Sequence, residues 1–166
     1  AQCLVGSEMC IRDRDCAEMD DMTEAMLYAA ARAQHVAQVI RPALLAGKIV
    51  ICDRFVDSSI AYQGYGRGLG EAVSVINDYA VCGCLPDVTF LMKMDPRVGR
   101  RRINVQQQDR LEREKDDFHV RTYEGYLELE KKYPGRIVGI DAARSIEEIK
   151  IDIYKKLEEV LKGVTE

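Results

Sequence analysis

A chain of 166 residues, 47% hydrophobic and 31% charged, is long enough to bury one sizeable core and reads as a single globular domain. Its formal net charge of −4 argues against general nucleic-acid affinity, leaving room only for a local basic patch. No apolar run is long enough to span a bilayer and no secretory signal stands out, so a cytoplasmic location is expected. The six cysteines, Cys3, Cys10, Cys16, Cys52, Cys82 and Cys84, include no Cys-x-x-Cys pair. That spacing argues against a zinc site and fits free thiols in a reducing compartment.

Residues 1–14, AQCLVGSEMCIRDR, show no sustained helical or strand period. The pattern sharpens from Asp20. Asp21 and Glu24 have the spacing of a capping box. Met22, Met26, Ala29, Ala33, Val36 and Ile40 then recur at steps of four and three, the buried stripe of an amphipathic helix. Pro42 is expected to kink the end of that helix and Gly47 to stop it. The β-branched run Lys48–Cys52 predicts a buried strand, with Cys52 as a small hydrophobe at its end. Asp57 or Ser58 is a candidate cap for a following helix. Further along, the spacing predicts a helix over about 70–82, a strand in DVTFLMKMD (87–95) and a helix opened by Pro96. Residues 104–117 read as a polar, solvated segment. A helix from about Phe118 to Lys132, a third strand in RIVGID (136–141) and a last helix over 145–162 complete the chain.

Strands alternating with helices predict an α/β fold with a parallel sheet covered on both faces. Ligands bind such sheets beyond the carboxyl ends of the strands. Asp53, Asp95 and Asp141 each follow one of the three predicted strands.

The stretch DRFVDSSIAYQGYGRGLG (53–70) is too polar for a core and too specific for a spacer. Arg54 has the planar fork that grips a phosphate with two hydrogen bonds. Asp53 beside it is able to orient that Arg or to hold Mg²⁺ through water. Tyr28 and Arg32 lie four apart on one helical face, which His35 and Val39 continue. Ser59, Tyr62 and Gln63 share a face if a helix starts near Ser58. An aromatic ring, an Arg, a hydroxyl and an amide together can stack on and hydrogen-bond a nucleobase. A polar helix–helix contact is the alternative.

TEAMLYAAARAQHV, GKIVICDRFVDSSIAYQGYGRGLG and LPDVTFLMKMDP resemble thymidylate kinase of the bacterial type, and DRLE, FHVRTYEGYLEL and IDAARSIEEI continue the resemblance. It runs in family order over roughly residues 18–155, and the DRFVDSSIAYQG stretch is its most specific part. The resemblance implies the P-loop kinase fold, a three-layer α/β arrangement with helices on both faces of a parallel sheet. It implies ATP and Mg²⁺ as cofactors, dTMP as phosphate acceptor and a homodimer, with no nucleic-acid or membrane partner. The amphipathic stripe is then a candidate dimer surface, with internal core as the alternative. By the same resemblance Tyr28 stacks on thymine and Arg32 hydrogen-bonds it. Ser59 and Gln63, with Ser58 beside them, line the base, and Tyr62 sits near the sugar. Arg54 holds the acceptor phosphate, assisted by Asp53. Arg102, Asp109 and Arg110 fall in the lid region, about 100–117, where INVQQQ replaces the usual basic, Gly-containing run. Asp141, Ala142 and Arg144 resemble the loop beside adenine.

Family members begin with a strand and a Gly-rich phosphate loop, yet no G-x-x-x-x-G-K-[ST] occurs in these 166 residues. A further motif rich in Arg, Pro and Gly is also absent, and residues 1–14 match neither segment. A foreign junction near residue 14 is therefore expected, with a divergent natural extension as the alternative, and residues 15–166 form the kinase-like domain without its first strands. The strands matching 48–52 and 88–94 would then lack the neighbour that lies between them. The expected reaction is ATP plus dTMP giving ADP plus dTDP, with the chain as given inactive. A kinase for another deoxynucleotide, or a non-catalytic nucleotide-binding or dimerisation module, remains open at this point.

Overall fold

Asp20, not Asp21, starts the first helix: its carboxylate accepts from the Met22 and Thr23 amides at 3.0 and 3.1 Å. The computed structural model describes residues 18–100 and 109–164. Helix α1 (Asp21–His35) runs through π-helical turns at Val36–Ile40 into α2 (Arg41–Leu45). The widening comes directly before Pro42, which has no N–H to give to the ladder. Ala25, Ala29, Val36 and Ile40 are buried and belong to the core. Met26, expected in the same stripe, is 55% exposed, because the buried face is turned toward Glu24 and Ala25.

The strand expected at Lys48–Cys52 does not form among the described residues. Ile49 and Ile51 are 72% and 95% exposed, and Cys52 is exposed as well. A β-branched run becomes a strand only when another backbone takes up its N–H and C=O groups. Here no described strand pairs with the run, whose Lys48 amide turns back to Ala43 O at 3.0 Å. The described sheet consists of β1 (Thr89–Lys93) and β2 (Ile137–Asp141), which pair in parallel with Leu91 opposite Gly139. Bonds from the Thr89 amide to Arg136 O and from the Ala142 amide to Lys93 O extend the ladder at both ends.

A short helix, α3 (Val56–Ser59), continues as a π-helical segment, Ile60–Gly66, followed by α4 (Glu71–Val81). After β1 come α5 (Pro96–Arg100) and α6 (Asp116–Lys132), and α7 (Ile146–Val164) follows β2. Ala61, Leu91, Leu129 and Ile137 form a buried cluster joining the π-helical segment, both strands and α6. The π-helical segment and α6 approach closely at two glycines. A Cβ on Gly66 would lie 2.6 Å from Thr122 Oγ1, and one on Gly125 would lie 2.7 Å from Tyr65 Cγ. No described helix is long and apolar enough to cross a membrane.

Neither Asp57 nor Ser58 caps α3, whose N-terminal residue Phe55 makes no side-chain cap. Asp57 instead takes two bonds from the Arg136 guanidinium, at 2.6 and 2.7 Å, and one from Thr89 Oγ1 at 3.0 Å. Asp57 is nearly enclosed, and this fork ties α3 to the sheet at the start of both strands. Arg136→Met leaves that carboxylate buried without its partner. The variant is expected to lose about 3 kcal/mol of stability in denaturant titration, the usual cost of stranding one member of a buried ion pair; a loss within ~0.5 kcal/mol, as at an ordinary surface site, would show that the pair does not hold the two units together.

Candidate active site

Arg32 projects from α1 toward the segment that enters α3. Its Nη2 donates to Ser59 Oγ at 2.8 Å and to the Phe55 carbonyl at 3.2 Å, and its Nη1 donates to Asn77 Oδ1 on α4. The guanidinium also lies 5.5 Å from the centre of the Phe55 ring. Burial pulls the Arg32 guanidinium down to about 10, opposed by neighbouring Cys52, Tyr28 and Asp57. It is therefore still charged at neutral pH, surrounded mainly by neutral acceptors. The polar helix–helix contact that the spacing allowed is thus real, and it orients the same Arg that faces the candidate base site.

One turn before Tyr28 on α1 stands Glu24, which is fully buried. Gln63 Nε2 donates to Glu24 Oε1 at 2.6 Å, and Arg67 Nη2 donates to Glu24 Oε2 at 3.1 Å. Arg110 also bonds Glu24 Oε2. Arg67 reaches on to Glu114 at 2.5 Å and to Asp21 at 3.2 Å. Glu24, Tyr28 and Arg32 therefore occupy successive turns of one helical face. Glu24 bonds Gln63 and Arg32 bonds Ser59, and these two partners occupy successive turns of the facing segment.

Arg54 sits at the bend between the exposed 48–52 run and α3, with a φ of 62°. A non-glycine residue in this left-handed region is strained by on the order of 1–2 kcal/mol. Such strain gathers at functional positions. The Arg54 guanidinium lies 5.3 Å from the centre of the Tyr62 ring. Tyr62 meets Phe118 and Tyr126 edge-on at 5.9 and 6.3 Å, so its ring is fixed in place. Tyr126 donates to Ser58 Oγ at 2.8 Å, and burial pushes its hydroxyl up to about 12, so it stays protonated as a donor. Asp53 is exposed beside Arg54, and no group of three His, Cys, Asp or Glu suited to a metal occurs among the described residues.

Tyr28, Arg32, Arg54, Ser58, Ser59, Tyr62 and Gln63 are thus gathered on α1 and the 53–66 segment. The remaining candidates lie elsewhere. Arg102 is outside the described residues. Asp109 exchanges bonds with Glu112, at 2.9 Å in each direction, as a capping box, while Arg110 is turned inward on Glu24. Asp141 accepts from the Ala143 amide at 2.9 Å and closes the turn that contains Ala142; Arg144 pairs with Asp152. Asp95 likewise closes a turn, accepting from the Arg97 amide at 2.8 Å.

Four residues of this region were not singled out by sequence: Asn77, Arg67 and Tyr126 as site residues, and Glu24 as anything but a cap. Asn77 was visible in principle, as a polar residue on the buried face marked by Val73, Ala80 and Val81. Glu24 carried a signal too, being in phase with Tyr28 and Arg32.

Comparison with known proteins follows the same residues. The family profile described as thymidylate kinase matches residues 10–153. The thymidylate kinase of Halalkalibacterium halodurans is 46% identical over 155 residues, covering 91% of this chain and 74% of that protein. That of Lactobacillus helveticus is 51% identical over 148 residues, 87% of this chain and 70% of its own length. That of Clostridium novyi is 46% identical over 143 residues, 84% of this chain and 70% of its own length. A family match over most of the residues, with relatives this similar over most of their own length, shows that the chain belongs to the thymidylate kinase family.

Proposed function

We propose that the face formed by α1 and residues 53–63 binds dTMP as a phosphate acceptor, and that the reaction it serves is ATP-dependent phosphorylation of dTMP to dTDP. The single observation that carries this reading is the Arg32–Ser59 bond of 2.8 Å, which fixes a part-buried guanidinium one helical turn from Tyr28. In this reading Tyr28 stacks on thymine, and Arg32 donates to a base carbonyl with N–H groups that its protein partners leave over. Ser59 and Gln63 line the base edge. Tyr62, fixed by Phe118 and Tyr126, stands beside the sugar. Tyr126 orients Ser58 from behind. Arg54 holds the acceptor phosphate near the transferring phosphoryl group, where its charge offsets negative charge that develops in transfer.

Magnesium is usually held by one or two carboxylates together with substrate phosphates, and it would neutralise phosphate charge during transfer. The exposed Asp53 fits such a role through water. Asp141, Ala142 and Arg144 belong to this reading as the turn beside adenine, with Arg144 exchanging Asp152 for the nucleotide. Arg102 and Asp109 fall in its lid region, which Arg110 anchors to Glu24 on α1. The three-layer P-loop kinase arrangement, a homodimer and a cytoplasmic location complete it.

GYGRGLG does not stand in for a phosphate loop. Gly66 packs on Phe118 and Thr122, and Arg67 is committed to Glu24 and Glu114. With no G-x-x-x-x-G-K-[ST] in the 166 residues, the polypeptide of this sequence is expected to give no dTDP above a no-protein control with ATP, Mg²⁺ and dTMP. Turnover near ~1 s⁻¹, ordinary for an enzyme, would mean that other residues anchor ATP.

Acceptor binding is a separate property of the same polypeptide. By calorimetry dTMP should bind in preference to dGMP, and Arg32→Ala should weaken it by about 1–3 kcal/mol, as for a lost charge-assisted hydrogen bond. Preference for the purine, or full affinity in the variant, would contradict the pocket.

A further inference from the structure

Helix α4 ends at Val81, and its capping residue Cys82 is in the left-handed region, with φ 48° and ψ 53°. Glycine is the usual residue at a left-handed helix end, because a Cβ is crowded there. Among the described residues only Arg54 and Cys82 take a positive φ without being glycine. Gly83 follows with a φ of 76°, and the Cys84 amide donates back to the Val81 carbonyl at 2.9 Å. Two successive positive φ angles closed by that bond make a tight mirror-image turn, with Cys82 and Cys84 on either side of the glycine. The turn is also held from outside: Arg41 Nη2 donates to the Cys82 carbonyl at 3.0 Å. Both thiols are free, Cys82 exposed and Cys84 half-buried. Two residue steps span at most about 7 Å when fully extended. A turn shortens that span and brings the two Cα atoms within the roughly 4.4–6.8 Å that a disulfide bridges.

We propose that Cys82, Gly83 and Cys84 form a reversible thiol–disulfide exchange site whose reaction partner is a low-molecular-weight disulfide. The exposed Cys82 thiolate attacks one sulfur of the small disulfide. Its S–S bond breaks, a mixed disulfide forms at Cys82 and one small thiol leaves with a proton. The Cys84 thiolate then attacks the Cys82 sulfur, so that the Cys82–Cys84 bond forms and the second small thiol leaves. The two cysteines together lose two protons and two electrons, and the small disulfide gains them. Closing so short a loop constrains the unfolded chain little, so the bond adds little stability and is readily reversed. In a reducing compartment the pair rests as thiols and is oxidised only transiently. None of these residues belongs to the acceptor face.

In the test, the 166-residue chain is incubated with glutathione disulfide, alkylated with iodoacetamide and digested with trypsin. Residues 68–93 form one tryptic peptide, preceded by Arg67 and ending at Lys93, that contains Cys82 and Cys84 and no other cysteine. It should appear unalkylated and lighter by two hydrogens, and dithiothreitol should restore two alkylatable thiols. Cys84→Ser should trap the glutathione adduct on Cys82. The internal bond should form on the order of 10-fold faster in native buffer than in urea, because the turn presents the two thiols at a raised effective concentration. A peptide carrying two glutathione adducts or two alkyl groups overturns the proposal. So does an unreacted Cys82 in Cys84→Ser, or an equal rate of closure in native buffer and in urea.

Discussion

The buried carboxylate of Glu24 is the constraint on which the acceptor face depends. Placing a charge at a fully enclosed position costs several kcal/mol of lost hydration, repaid only by close opposite charge and satisfied lone pairs. Here two guanidinium groups and one amide converge on its two oxygens. The partners come from three separate stretches: Gln63 from the π-helical segment, Arg67 from just beyond it, and Arg110 from the segment leading to α6. Their common acceptor sits on α1. No single helix could be displaced without stranding a charge. This holds the facing surfaces of α1 and residues 59–67 in one register, and with it the spacing between Arg32 and Ser59.

That register gives the polar contacts a double meaning. Arg32 is a structural crosslink between α1, α3 and α4 and, in the proposed reading, the cation at the edge of a base. Both roles are served by the same side chain because a guanidinium has five donors in a fixed fork and spends only some on the protein. The same economy appears at Tyr62, whose ring is fixed edge-on by two aromatic neighbours and faces the Arg54 guanidinium. A site whose groups are held before a ligand arrives loses less side-chain freedom on binding.

Much of this was legible in the sequence where the signal is local. Helix α1 follows from its apolar period, α4 and α6 from theirs, and β1 and β2 from short apolar runs that match the observed strands closely. Tyr28 and Arg32 were readable as one helical face, and Ser59, Tyr62 and Gln63 as another, because helical spacing fixes which residues are neighbours within a segment. What was not legible depends on partners distant in sequence. Lys48–Cys52 has the composition of a strand, but pairing requires a second backbone. Asp57 looks like a helix cap and is instead held by Arg136, beyond the reach of any local rule. Glu24 matched a capping box in spacing, and only its distant arginines reveal it as a buried charge. Arg110, read by resemblance as a lid residue, is turned inward for the same reason.

The central claim is that dTMP sits between α1 and residues 53–63. A crystal structure of this chain grown with dTMP tests it most directly. The account predicts the thymine ring stacked on Tyr28, a base carbonyl near Arg32 and the phosphate against Arg54. The molecule also has a cleft of mixed charge, lined by Asp21, Arg67, Glu114, Lys115, Asp117 and Arg121. The nucleotide held there by its phosphate alone, with the Tyr28 face empty, would contradict the account.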